Sequence, residues 1–227
     1  GSKVVYSVFE DREGMMWVAT DSGLSRFPRK PLPFVNYRHS ANNPNSLYRN
    51  KVWAVRGDSQ GFLWFGTDGG LNSLDRKSGR FTVYRNDPKD KHSLSFNQVP
   101  AIREDASGGL WFGTYGGGLN RFDRATGRFF RYRHDPKDPG SLSTDVVYSL
   151  LVDRQEVLWV GTQDGGLNRF DPRTARFKIY RHNPKDSHSL SHDTVSVIFE
   201  DLAGTLWLGT RSGLSRLDRN TGQFTVY

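Results

Sequence analysis

The sequence predicts an all-β fold, a β-propeller of five four-stranded antiparallel blades. Three observations predict it. The phrase "GLWFGTYGGGLNRFD", from Gly109 to Asp123, recurs in variant form five times in 227 residues. Its tryptophans, Trp17, Trp64, Trp111, Trp159 and Trp207, are spaced by 47, 47, 48 and 48 residues. Between them the chain breaks into short runs rich in Val, Phe, Trp, Tyr and Thr, bounded by Gly, Asp, Asn and Ser. Such runs are strand and turn signals, and no helical pattern competes with them.

The second repeat shows the division most plainly. Val52 to Arg56 is its first strand and "GDSQG" the turn after it. Phe62 to Thr67 is the second strand, Leu71 to Asp75 the third and Arg80 to Arg85 the fourth. Applied to every repeat, the period gives blades over residues 3–39, 50–86, 97–134, 145–182 and 193–227. The leading Gly1-Ser2 reads as a cloning remnant. The expectation is one domain, closed into a single-chain ring.

Each repeated tryptophan lies in a second strand with apolar residues on both sides, as Leu63 and Phe65 flank Trp64. Neighbours in a strand point to opposite faces, so this strand must be covered on both, as a blade between two blades is. Two residues on stand Gly66, Gly113, Gly161 and Gly209, which allow close approach of the next blade; Ala19 replaces glycine in blade one. The tryptophans are therefore structural.

The turn between strands one and two starts at Asp11, Asp58, Asp105, Asp153 and Asp201. Gly14, Gly61, Gly108 and Gly204 follow three residues later, and Glu156 takes that place in blade four. An aspartate can bond turn amides and glycine accepts positive φ. The crossovers between blades, such as "YRHDPKDPGSLSTD" from Tyr132, carry Leu47, Leu94, Leu142 and Leu190 as lone apolar pegs.

The bulk properties exclude several classes. No cysteine is present, so neither disulfides nor thiol chemistry apply. No apolar run reaches the roughly 20 residues of a membrane helix. A net charge of +8 suggests a polyanionic partner, but no nucleic-acid motif accompanies it. The histidines sit in crossovers without metal-ligand spacing. The acidic residues recur at turns rather than as a catalytic pair, and an Asp box would place Asp and Gly two apart instead of three. No glycine-rich loop opens a helix. The expectation is a non-catalytic protein without cofactor or metal.

The pattern V-x-x-[VIL]-x-x-D-x-x-G-x-L-W-x-G-T-x-x-G-L, carried by all five repeats, resembles the two-component-regulator propeller repeat. That resemblance implies the extracytoplasmic sensor region of a bacterial hybrid two-component regulator or histidine kinase. Such a parent has more repeats, a membrane anchor and a signalling domain, and this part lies in the periplasm or outside the cell. The implied role is binding of an extracellular small molecule or oligosaccharide. The alternatives are a structural or protein-interaction propeller without a ligand of its own, and a propeller lyase or glycosidase.

Recognition residues concentrate on loops of a rigid scaffold. The loops between strands two and three vary most among the repeats and share the crossover end of the fold. They supply Asp21, Asp68, Tyr115, Gln163, Asp164 and Arg211 as candidate ligand contacts, and the crossovers add His92, His188 and His192. Arg38, Arg85, Arg133 and Arg181 each follow a fourth-strand tyrosine and form a candidate rim for sulfated or uronic sugars. First strands should line the central channel, with small residues such as Ala54, Ala101 and Ser149 at the axis and Tyr6, Trp53 and Tyr148 packed between blades; in the reversed register those three form an aromatic funnel instead. An unclosed arc would leave apolar end faces and self-associate.

Overall fold

The computed structural model describes residues 4–11, 13–28 and 35–227, and among these it has no helix. Gly1 and Ser2 lie outside them. Blade one is β1 (Val5–Glu10), β2 (Met15–Thr20), β3 (Gly23–Pro28) and β4 (Val35–Tyr37). Blade two is β5 (Val52–Gly57), β6 (Phe62–Thr67), β7 (Leu71–Asp75) and β8 (Arg80–Tyr84). Blade three is β9 (Ala101–Glu104), β10 (Leu110–Gly113), β11 (Leu119–Asp123) and β12 (Arg128–Tyr132). Blade four is β13 (Val147–Val152), β14 (Leu158–Thr162), β15 (Leu167–Asp171) and β16 (Arg176–Tyr180). Blade five is β17 (Val195–Glu200), β18 (Leu206–Thr210), β19 (Gly213–Leu217) and β20 (Phe224–Val226). Every blade is an antiparallel meander in sequence order, and the first strands of successive blades lie side by side.

The blades have two unlike faces. One carries the tryptophan, which packs beside the tyrosine ending its own blade: Trp64 and Tyr84 have ring centroids 5.7 Å apart. The other carries the residues flanking the tryptophan. Seams form when the tryptophan face of one blade meets the flanking face of the next. Trp64 lies 5.4 Å from Phe112 and Trp111 lies 5.2 Å from Phe170. Burial of such a ring contributes about 4–6 kcal/mol before entropy. All four pegs, Leu47, Leu94, Leu142 and Leu190, are fully buried. Blade one accommodates Ala19 two residues past its tryptophan, but at Gly66 the contact requires glycine. A Cβ on Gly66 would stand 2.0 Å from the Val99 carbonyl oxygen of the next blade.

Four hydrophobic clusters fill the four seams between successive blades. Among the described residues none joins blade five to blade one. Trp207 is accordingly only half-buried, while the other four repeat tryptophans are at most 4% exposed. Beside it Val197 and Phe199 are 54% and 59% exposed, and on the outer flank of blade one Val8 is 56% exposed. The expected single-chain ring is thus packed at four seams, and among the described residues its fifth is exposed to solvent.

A clasp ties each turn to its tryptophan. Asp58 Oδ1 accepts from the amides of Gln60 and Phe62, and Oδ2 accepts from the Trp64 indole at 2.8 Å. The same indole-to-carboxylate bond joins Trp17 to Asp11, Trp111 to Asp105, Trp159 to Asp153 and Trp207 to Asp201. An arginine of the next blade then covers the carboxylate. Arg76 reaches Asp11 at 3.1 Å, Arg124 reaches Asp58 at 2.9 Å and Arg219 reaches Asp153 at 3.0 Å. In blade four the place of this arginine is taken by Pro172. Glu156 does fill a glycine position, at φ 60°, and Ala175 fills another at φ 57° where its counterparts are Gly79, Gly127 and Gly222.

Candidate ligand-binding site

The loops between strands two and three meet the first strands at the crossover end. There, a bulge interrupts β5, β13 and β17 against their second strands, between Val52 and Ala54, Val147 and Ser149, and Val195 and Val197. A bulge re-aims the extra side chain out of the ladder. In blade four that residue is Tyr148. Its hydroxyl donates to Gln163 Oε1 at 2.9 Å, and the Tyr115 hydroxyl donates to the same oxygen at 3.2 Å. The two rings lie 5.6 Å apart. Burial, with the Tyr115 hydroxyl adding to it, pushes the Tyr148 phenol up to about 12, so it is a neutral donor at physiological pH.

The network continues into blade five. The Gln163 amide lies 3.4 Å from Asp164 Oδ2, and Thr194 Oγ1 donates to Asp164 Oδ1 at 2.7 Å. The Thr194 amide donates to His192 Nδ1 at 2.8 Å, and its carbonyl accepts from the Arg211 amide. The Thr194 hydroxyl first, and then Gln163 and the charges of His192 and Arg211, hold the Asp164 carboxyl below its ordinary value against a smaller desolvation. Asp164 is therefore an ionised acceptor and not a proton donor. Tyr115, at 40% exposure, gives the cluster an open aromatic face.

Of the residues expected from sequence, Tyr115, Gln163, Asp164, His192 and Arg211 come together in this mouth. Asp68 lies in blade two, outside the mouth, half-buried, with Oδ1 buried and unbonded. Asp21 is exposed on the loop of blade one, where its carboxylate accepts from the Ser22 hydroxyl. His92 and His188 do not join the mouth. Their carbonyls accept from Phe129 and Phe224 of the following fourth strands, which puts them on the outer edge. The four rim arginines are exposed, but some are engaged locally. Arg133 pairs with Asp145 at 2.9 Å, Arg181 lies 3.9 Å from Asp193, and Arg85 stacks over Tyr48 at 4.5 Å.

One mouth residue, Thr194, escapes the sequence reading. Of the two registers open for Tyr148, the packing between blades is not the one adopted, because the bulge turns it to the loops. Tyr6 and Trp53 do pack together across their seam, with centroids 4.8 Å apart, and the Lys51 ammonium sits over both rings. Among the described residues no cluster of three or more His, Asp or Glu is placed to hold a metal ion, and no helix is long and apolar enough to cross a membrane.

The family model described as two component regulator propeller matches residues 1–22, 49–69, 93–116 and 141–164. No curated protein matches the chain. Among solved structures, the extracellular domain of a hybrid two component system from B. thetaiotaomicron is similar over 99% of this chain and 30% of its own, at 28% identity and a TM-score of 0.85. The extracellular domain of a one component system from the same organism is similar over 98% of this chain and 31% of its own, at 23% identity and 0.79. A catalytically inactive virginiamycin B lyase from Staphylococcus aureus, solved with Quinupristin, covers 98% and 69% at 16% identity and 0.71. The last two likenesses show the fold alone. The chain spans less than a third of the length of the first two.

Proposed function

We propose, from the premise that these blades are two component regulator propeller repeats, that the chain is the non-catalytic, ligand-binding part of an extracytoplasmic sensor. The observation that carries the reading is the hydrogen-bonded mouth, continuous from Tyr115 through Tyr148, Gln163 and Asp164 to Thr194 across three blades. An exposed aromatic face beside fixed hydroxyl, amide and carboxylate groups suits an oligosaccharide. Its apolar ring faces stack on aromatic side chains while its hydroxyls need both donors and acceptors. A mouth supplied by separate blades also gives a ligand purchase on several repeats at once, which is what a sensor needs.

The test is thermal unfolding with neutral and acidic oligosaccharides at low and high salt. A ligand at 100 times its Kd adds about 2.7 kcal/mol of stability. A shift that survives high salt and disappears in Tyr115→Ala with Gln163→Ala supports the mouth. A shift confined to acidic sugars at low salt assigns binding to the arginine rim instead. No shift with any sugar removes the oligosaccharide reading.

A second reading, interaction with another copy of the chain, is favoured by the wet fifth seam. The tryptophan face of blade five and the flanking face of blade one are the two halves of the contact made four times inside the molecule.

A further inference from the structure

The seam between blades three and four lacks the arginine that closes the other three, and the consequence is a cleft of about 400 Å³ at the turn end, opposite the mouth. Trp111, Tyr132, Leu158 and Phe170 form its apolar wall, and Asp105 and Glu156 stand on its edge.

The other seams show what this geometry holds. Asp58 Oδ2 accepts from the Trp64 indole and from the Arg124 guanidinium, which also meets Glu104 at 3.4 Å. Asp153 Oδ2 accepts from the Trp159 indole and from Arg219, which also meets Glu200 at 2.6 Å. The second carboxylate has its own fixed position, because it caps a turn amide of the preceding blade: Glu104 accepts from Ser59 and Glu200 from Arg154. In the open seam Val152 replaces that glutamate, and Glu156, held at φ 60°, takes over the cap and accepts from the Ala106 amide at 3.0 Å. Asp105 keeps its own turn bonds and its Trp111 bond at 2.7 Å. The pair of carboxylates is thus rebuilt by a different residue while the cation is replaced by proline. Asp105 is half-exposed, whereas Asp58 and Asp153 have no exposed side-chain surface. The cation that also faces the cleft is Arg121, which lies over the Trp111 ring at 5.5 Å and makes no ion pair with Asp105 among the described residues.

We propose that this cleft is a binding site for a guanidinium or similar organic cation on a short aliphatic stem, seated between Asp105 and Glu156 with the stem against Trp111 and Phe170. The ligand occupies the place that Arg124 and Arg219 occupy in their own seams. Both a small organic cation and an arginine side chain of a peptide carry this chemistry.

The test uses the intact chain with agmatine and with N-acetylarginine amide, followed by calorimetry and by the Trp111 indole N–H resonance at physiological salt. The expected result is saturable binding in the millimolar range or tighter, with the indole signal moving. The neutral citrulline amide should not bind. Agmatine alone binding assigns a small cation; binding of the amide as well admits a peptide arginine. Pro172→Arg fills the site from within and should abolish binding, with a rise in Tm. Glu156→Gln, which leaves the Asp105 clasp intact, should weaken binding about tenfold or more through loss of a charged hydrogen bond. The proposal is overturned by no saturable binding of either cation, by equal binding of the citrulline amide, or by binding undiminished in a folded Pro172→Arg or Glu156→Gln protein.

Discussion

Trp64 donates its indole N–H to Asp58 Oδ2 at 2.8 Å, and the same oxygen holds Arg124 of the next blade at 2.9 Å. One carboxylate thereby fixes a turn, a tryptophan and a neighbouring blade. Asp58→Ala leaves Arg124 beside an unpaired indole and should cost about 3–5 kcal/mol. Asp201 bonds Trp207, and among the described residues no arginine pairs with it, so Asp201→Ala should cost less. Urea unfolding of the two variants measures the difference, and equal losses would show that the interblade arginine contributes nothing.

Gly66→Ala places a Cβ 2.0 Å from the Val99 carbonyl oxygen, which no side-chain rotation relieves. A loss of about 1–3 kcal/mol or more is expected. At Gly209 the nearest atom is Cγ1 of Val197 on the same blade, beside the wet seam, so Gly209→Ala should be milder. Denaturant midpoints for the pair decide it.

Ala175 holds φ 57° where the other described blades with this turn have glycine. Ala175→Gly removes left-handed strain of about 1–2 kcal/mol and restores part of it as unfolded-chain entropy. A net gain of roughly 0.5–1 kcal/mol is expected, and a lower Tm would contradict it.

On the acid side of neutrality, stability should hold until the turn carboxylates protonate. At Asp105 burial pushes the carboxyl up, but Ser107, Trp111 and Gly109 together pull it lower still. At Asp201 the Trp207 indole is the first cause of a lowered value. A carboxyl depressed in the folded state stabilises it above the unfolded pKa of about 3.9, and that stability is lost as pH falls through the folded value. The expected Tm is level from neutrality to about pH 5 and drops below about pH 4. A drop already between pH 7 and 5 would show that these carboxylates do not set the acid limit.

Phe199 and Val197 are more than half exposed on an apolar face. Sedimentation at rising concentration should show association of copies, and Phe199→Lys should abolish it with little change in the stability of the single chain. A monomer at all concentrations would rule out this face as a contact.

The fold was legible because a repeat multiplies weak signals. One tryptophan strand proves little, whereas five in register fix the blade, the pegs and the turn aspartates. The mouth was half legible. Variation among loops pointed to Tyr115, Gln163 and Asp164, but no sequence signal located the bulge that redirects Tyr148. His92 and His188 were misplaced because a crossover runs from the outer edge to the axis, and its residues share an end of the fold without sharing a site. The arginine clasps were missed although the text carries them, as Asp-Arg at 75–76, 123–124 and 218–219 and Asp-Pro at 171–172. Aligning the repeats with one another, rather than reading each for its strands, exposes that exception.

The unlike faces of a blade give the row of blades a direction, as a plug and socket do. Duplication of a whole unit creates a new joint that already fits, because each copy brings one of each half. A unit inserted in reverse fits neither neighbour. Change can therefore run freely in the number of units while the joint itself stays fixed, and the joint at Pro172 holds even without its arginine.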